Sequence, residues 1–259
     1  MDASVLIVGK GEVGHPLAQV LGRTFEVVTK DVESLALDSV EVMHICYPFD
    51  LDFVRTTVSY TEEYKPRLTI VNSTVAPGTT RRIADRSGLT VVYSPVRGKH
   101  TRMAQDLLRY SKFVAAFHPD AVRQAEEHFQ GAGMTVHTMR SPDALELAKL
   151  LETSYFGVLI GWAQEMERLA KQVGADYFEV QQFMEEIDFL PRVVFQPGFI
   201  GGHCVLPNSH LLDQVSPSVF MEAMRRSNDM KMRQWKEEGG SLEERATPLR
   251  YNAAEPYEP

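Results

Sequence analysis

Gly9-Lys10-Gly11-Glu12-Val13-Gly14 lies between the apolar run SVLIV and the helix-forming stretch HPLAQVLG. Glycines at this spacing permit a tight turn, let backbone approach a pyrophosphate closely, and let a helix pack on a strand. The amides and positive dipole end of that helix favour phosphate. Asp31 closes the next apolar run 17 residues after Gly14. An acid placed there accepts hydrogen bonds from a ribose 2′-hydroxyl and repels a 2′-phosphate. Strand, turn, helix and second strand in this order point to a dinucleotide, NAD rather than NADP. The alternative is a glycine turn that only packs, with Asp31 a solvated strand end.

Two cysteines open a second chemistry. Cys46 lies inside the apolar run VMHICYP and reads as core, whereas Cys204 lies in the glycine loop GFIGGHC. That loop favours a functional thiol over a small core residue. Neither cysteine has a CxxC or Cys/His spacing suited to zinc, and two do not make a disulfide framework, so no metal site is expected. Arg97, Lys99 and His100 directly follow the apolar run TVVYSP. Such side chains hold a phosphate or carboxylate, or else form a solvated basic loop.

These residues need elements to position them. SVLIVG, FEVVTK, VEVMHICYP, LTIVNST, TVVYSP, KFVAAF and TVHTM alternate with helical stretches. The pattern predicts an α/β fold, a Rossmann-like doubly wound parallel sheet. Between Asp31 and the third run, VESLALDS is too short for the usual helix and strand, so the domain is abridged. From Asp143 apolar residues recur every three or four positions, predicting one long central helix that starts at Ser141-Pro142-Asp143 and stops at Gly174. The expected organisation is a dinucleotide-binding domain over 1–142, an all-helical domain over 143–238 and a mobile tail over 239–259. In the second domain, further helices are expected from about Asp176 to Ile187 and Ser218 to Lys236, with a loop at PRVVFQPGFIGGHCVLPN between them. Gly157 and Gly161, one turn apart, mark a face of close approach. It serves packing within the chain or a homodimer seam with Tyr155, Val158 and Trp162.

The 259 residues are 44% hydrophobic and 24% charged, which excludes disorder throughout. Against 35 acidic residues stand 27 Lys and Arg, a net charge of −8, so no overall basic field draws nucleic acid or anionic lipid. No apolar stretch reaches the roughly 18 residues of a membrane span, and a cytoplasmic protein with a small-molecule substrate is expected.

Four motifs in order resemble the nucleotide-sugar 6-dehydrogenases, the UDP-glucose, GDP-mannose and UDP-N-acetylmannosamine dehydrogenase family. They are GKGEVGHPLA, NSTVAPGTT (Asn72 to Thr80), the helix from Glu146 to Asp176, and GFIGGHCVLPN (Gly198 to Asn208). The resemblance implies that NAD is held by Gly9, Gly11, Glu12, Val13, Gly14 and Asp31, with Tyr47, Pro48, Ser73 and Thr74 completing its site. It implies that a primary alcohol is oxidised to an aldehyde, captured by Cys204 as a thiohemiacetal, oxidised to a thioester and released as a carboxylate. Lys149 is then the oxyanion stabiliser and Thr74 helps position water. Arg97, Lys99, His100, Thr153, Gly201, Gly202 and Asn208 form the substrate side.

Departures from the family pattern matter as much. Its SPE segment is Ser94-Pro95-Val96 here, its asparagine four residues after the lysine is Thr153, and its aspartate four residues after the cysteine is Asn208. These lost groups serve substrate orientation and the water-dependent half of the chemistry. The family's third domain, which closes over the nucleotide, is not expected in this chain. An alternative resemblance is to the 3-hydroxyisobutyrate and 6-phosphogluconate dehydrogenases. There Lys149 does acid/base work on a hydroxy acid and Cys204 is incidental. A non-catalytic NAD-binding protein is the third possibility.

Overall fold

The computed structural model describes residues 2–33, 35–37, 39–185, 197–201 and 204–239. Gly202 and the tail from 240 onward lie outside them, so the expectations placed there find no counterpart below. The chain divides into two compact units, the first ending at Leu150 and the second beginning at Leu151.

In the first unit all seven apolar runs are strands. The order along the chain is β1 (Asp2–Val8), α1 (Gly14–Leu21), β2 (Val27–Lys30), β3 (Ser39–Ile45), α2 (Phe53–Tyr64) and β4 (Leu68–Val71), followed by α3 (Thr79–Ser87) and β5 (Val91–Tyr93). Then come α4 (Met103–Arg109), β6 (Lys112–Ala116), α5 (Pro119–Gly131) and β7 (Val136–Thr138). They form one sheet in the order β2-β1-β3-β4-β5-β6-β7. Among the described residues between Lys30 and Ser39 there is neither helix nor strand, which leaves β2 at the edge, as the short VESLALDS segment predicts. Strand pairing is parallel from β2 through β5, but β6 runs antiparallel to β5, with Val92 opposite Ala116. An apolar run reads the same in either direction, so hydrophobic patterning specifies the strand and not its polarity.

Successive side chains of a strand face opposite sides. Thus Ile7 joins Leu17, Ile70, Val114 and Phe129 on one face, while Leu6 joins Met43, Phe53, Ile83 and Tyr93 on the other. Both faces are covered, which accounts for the continuous apolar runs. Each such side chain stabilises the fold by about 1.5–3 kcal/mol through burial.

The long helix is α6 (Pro142–Val173), 32 residues. Ser141 Oγ accepts the Ala144 N–H at 3.3 Å, and Gly174, at φ +73°, ends the helix in the left-handed conformation that glycine adopts without strain. The sequence places the domain boundary at the start of this helix, but the compact division falls within it. The reason is that Leu145 packs in the sheet's core and Glu146 bonds to α3.

The second unit adds α7 (Tyr177–Glu185), α8 (Val205–Asp213) and α9 (Val219–Glu237) to the rest of α6. Ser218 caps α9 by accepting the Met221 N–H. The loop expected through Asn208 instead gives way to α8 at Val205. Pro207 falls in the first turn, where the missing N–H has no intrahelical partner to lose. A Cβ on Gly157 would stand 2.5 Å from Val205 Cγ1 and 3.1 Å from Met224 Sδ, and one on Gly161 would stand 3.6 Å from Met224 Cγ. The glycine face is therefore used within the chain, against α8 and α9. Leu151, Tyr155, Trp162, Leu169 and Val173 remain exposed on α6.

Candidate functional site

The strand order reverses direction of growth at β1 and β3, the place where open α/β sheets bind ligands at the carboxyl ends of their strands. Gly9 turns the chain there at φ +101°, and a Cβ on it would lie 2.7 Å from Tyr47 N; a Cβ on Gly14 would lie 1.8 Å from the Gly9 carbonyl oxygen. Both glycines are obligatory for this turn. Gly11, by contrast, faces open space. Val13 precedes α1 as its N-cap and, being apolar, offers the helix no side-chain cap. This cradle suits a pyrophosphate.

Around the cradle the expected residues fall into two groups. Asp31 is exposed at the end of β2, beside the turn, where the Gly9 N–H meets the Lys30 carbonyl at 2.9 Å. Tyr47 and Pro48 follow β3, and Thr74 follows β4 half-buried. Ser73 is instead occupied in the framework, donating its hydroxyl to the Tyr47 carbonyl at 2.6 Å. Glu12 pairs with His100 Nδ1 at 2.7 Å, so the basic loop reaches the glycine turn through His100. Arg97 turns away from that turn: it donates to the Ser111 carbonyl at 3.0 Å and lies over the Phe113 ring at 4.5 Å. The loop folds around the buried Asp106 carboxylate, which accepts the Lys99 N–H and Arg102 Nε. Gly98, at φ +138°, leaves no room for a side chain against Asp106. Lys99 is exposed.

Sequence reasoning missed a buried polar chain beneath this edge. Because β6 is antiparallel, Lys112 at its start lies with the ends of β4 and β5. Its ammonium donates to Asn72 Oδ1 at 3.2 Å, the Ser94 carbonyl at 2.6 Å and the Pro95 carbonyl at 2.9 Å, three acceptors for three N–H groups. Asn72 thus turns its Nδ2 to His44 Nδ1 at 3.0 Å, and His44 Nε2 meets His128 Nε2 at 2.9 Å. The directions follow in sequence: His44 accepts at Nδ1, so it carries its proton on Nε2 and donates to His128. Burial pulls Lys112 down to about 7; Cys46 opposes the shift, while the charges of Lys149 and Arg97 add to it. Burial also lowers His128 to about 4 and His44 well below its ordinary value, His128 and Lys112 reinforcing the latter. The signal lay in two histidines and a lysine within strand and helix patterns, where polar residues need partners.

Glu146 is a second residue that sequence reasoning left without a role. Fully buried, its carboxylate accepts the N–H of Gly78 at 2.6 Å and of Thr80 at 2.8 Å, together with the Thr80 hydroxyl at 2.7 Å. It caps α3 and anchors the segment after Thr74 to the turn of α6 that precedes Lys149, although burial raises its pKa.

In the second unit, half-buried Cys204 stands at the start of α8, its carbonyl accepting the Asn208 N–H at 3.0 Å. Cys46 differs: buried in the first unit, its thiol is pushed up to about 12 by desolvation. The two positions that depart from the family pattern on this side meet, with Asn208 Nδ2 donating to Thr153 Oγ1 at 2.9 Å. Upstream, the loop is bolted down by amides. Asn228 accepts the Ile200 N–H at 2.5 Å and donates to its carbonyl at 3.1 Å, as a strand neighbour would, while Gln164 donates to the Gly198 carbonyl at 2.7 Å. Gly201 is exposed. Among the described residues, no group of three or more His, Cys, Asp or Glu is arranged to hold a metal ion, and no helix is long and apolar enough to cross a membrane.

Comparison with known proteins gives these arrangements a context. Residues 143–230 match the UDP-glucose/GDP-mannose dehydrogenase family, central domain. UDP-N-acetyl-D-mannosamine dehydrogenase of Pyrococcus horikoshii is 26% identical over 231 residues, covering 82% of this chain and 54% of that protein. The chain thus spans about half the length of this curated relative. The solved structure of UDP-D-ManNAc dehydrogenase from Pyrococcus horikoshii superposes with a TM-score of 0.77 at 20% identity, covering 93% of this chain and 71% of the other. Mycobacterium tuberculosis 3-hydroxyisobutyrate dehydrogenase shares the fold with a TM-score of 0.68 at 15% identity, covering 91% and 94%.

Proposed function

We propose, on the premise that this chain belongs to the UDP-glucose/GDP-mannose dehydrogenase family through its central domain, that it is an NAD-dependent oxidoreductase acting on an alcohol or aldehyde of a nucleotide-sugar or related anionic substrate. The observation that carries this reading is the glycine turn, with two positions closed to any Cβ and one, Gly11, open where a pyrophosphate would approach. Gly9, Gly11, Val13 and Gly14 would hold the pyrophosphate and Asp31 the ribose. Bound NAD supplies a hydride acceptor.

Cys204 is the nucleophile in this reading. Its sulfur adds to the aldehyde carbon, the thiol proton passes to solvent, and the carbonyl oxygen becomes an oxyanion that the Lys149 ammonium neutralises. Releasing a carboxylate from a thioester needs water and a base to take its proton. Thr153 and Asn208 are neutral and bonded to each other, so they supply no base. Losing one such group commonly slows a reaction about 10²- to 10⁴-fold. When UDP-N-acetylhexosamines are offered with NAD, the expectation is therefore either about one NADH per substrate in steady turnover, with release of the aldehyde, or a burst of about two NADH per active site that leaves a thioester on Cys204 in intact mass spectra. Rapid formation of two NADH and one carboxylate per substrate would overturn this reading. The same neutral pair also suits the alternative in which Lys149 does acid/base work on a hydroxy acid; there Cys204→Ser would leave turnover intact.

The exposed stripe Leu151, Tyr155, Trp162, Leu169 and Val173 supports a homodimer formed along α6. Trp162→Glu should shift the light-scattering mass toward the monomer. A monomeric mass for the unchanged protein at micromolar concentration would refute it.

A further inference from the structure

The edge of the sheet at β2 carries a set of charges that dinucleotide binding as described above does not use. Lys10, in the glycine turn, forms an ion pair with Glu33, two residues beyond Asp31. Backbone hydrogen bonds at Glu33 and Asp31 fall on the same carboxylate; with the Lys10 bond as the largest influence, they hold it down at about 2. Lys30, which ends β2, is buried and engaged elsewhere, donating to the Asp31 carbonyl at 2.9 Å and lying over the Tyr60 ring at 4.4 Å. Main-chain donors and an ammonium therefore converge on one anion at the end of β2. That combination binds phosphate wherever it is presented open. Here the anion belongs to the protein.

We propose that the Glu33 carboxylate is an internal substitute for the 2′-phosphate of NADP, filling an anion cradle built from Lys10 and the main chain at Asp31 and Glu33. Cofactor choice then rests on two residues with different duties: Asp31 accepts the ribose hydroxyls, and Glu33 keeps the neighbouring anion position occupied. This deepens the NAD reading and rests on it. Removing the Asp31 carboxylate alone leaves the cradle filled and Lys10 neutralised, so NADP gains little. Removing the Glu33 carboxylate frees Lys10 and the main-chain donors beside the 2′ position. Lys10 and Glu33 are each about half exposed, at 45% and 47%, and exposed pairs contribute little to stability, so the variants fold.

The test is calorimetric titration of the full chain with NAD and with NADP. In the unchanged protein NAD binds more tightly. Glu33→Ala should raise NADP affinity relative to NAD by about ten-fold or more, as freeing one cation beside a phosphate allows. Adding Lys10→Met to Glu33→Ala should cancel the gain, whereas Asp31→Ala alone should move the ratio mainly by weakening NAD, with little rise in the affinity for NADP itself. A ratio within two-fold of the original in Glu33→Ala, with NAD still bound, overturns the proposal and leaves NAD binding standing. Failure of the unchanged protein to bind either dinucleotide overturns both.

Discussion

The glycine turn of the first unit and the Cys204 loop of the second are held by opposite means. The turn is shaped by absent side chains: Gly9 and Gly14 stand where any Cβ would strike backbone, and the groups offered to a ligand are main-chain amides. The thiol loop is shaped by side chains brought from afar, with Gln164 and Asn228 bonding its backbone and Thr153 bonding Asn208 across 55 positions. A backbone cradle tolerates almost any change outside its glycines, whereas a side-chain clamp can be retuned by one substitution. On the thiol side the neutral side chains of Thr153 and Asn208 fit each other in this way.

The comparison breaks most sharply at Gly14. Gly14→Val places a Cβ 1.8 Å from the Gly9 carbonyl oxygen, so the turn must open. NAD affinity measured by calorimetry should fall by at least about 100-fold, the loss expected when several positioned phosphate donors are displaced together. Retention of affinity within a few-fold would show that the turn is not the cradle.

Acid supplies a second test, because among the described residues the buried imidazoles belong to the first unit alone. A histidine whose folded pKa lies below its unfolded value leaves the unfolded chain binding more protons. Its stabilising effect is whole above the ordinary value and is lost as pH falls through the folded one. For His128 that window runs from 6.5 to about 4. It should cost the first unit about 3 kcal/mol, with His44 adding in the same direction. Denaturant unfolding at pH 7 and pH 4.5, with and without His44→Phe/His128→Phe, should show a steeper loss in the unchanged chain. Equal slopes would remove the His pair from the account.

The smallest expected effect separates the two thiols. Asn228→Ala removes both bonds to Ile200, costs about 1–3 kcal/mol for the backbone groups it strands, and loosens the approach to Cys204. Alkylation by iodoacetamide, followed by peptide mass, should speed several-fold at Cys204 and leave Cys46 unmodified, since that thiol is buried and raised to about 12. Faster modification of Cys46 than of Cys204 would reverse the assignment of the two.

Local chemistry made part of this molecule readable from its residues. The seven strands, the abridged β2–β3 connection, the 32-residue helix from Pro142 to Val173 and the glycine turn follow from apolar periodicity, caps and φ-space, all of which act over a few neighbours. Such rules say nothing about strand polarity or about which distant side chains meet. Only the tertiary structure set β6 antiparallel, and thereby brought Lys112 to Asn72, Ser94 and Pro95. It also turned Gly157 toward Val205 and Met224, paired Lys10 with Glu33, and joined Thr153 to Asn208. A buried hydrogen bond or ion pair needs its partner at one distance and angle, and that geometry exists only after the elements have packed.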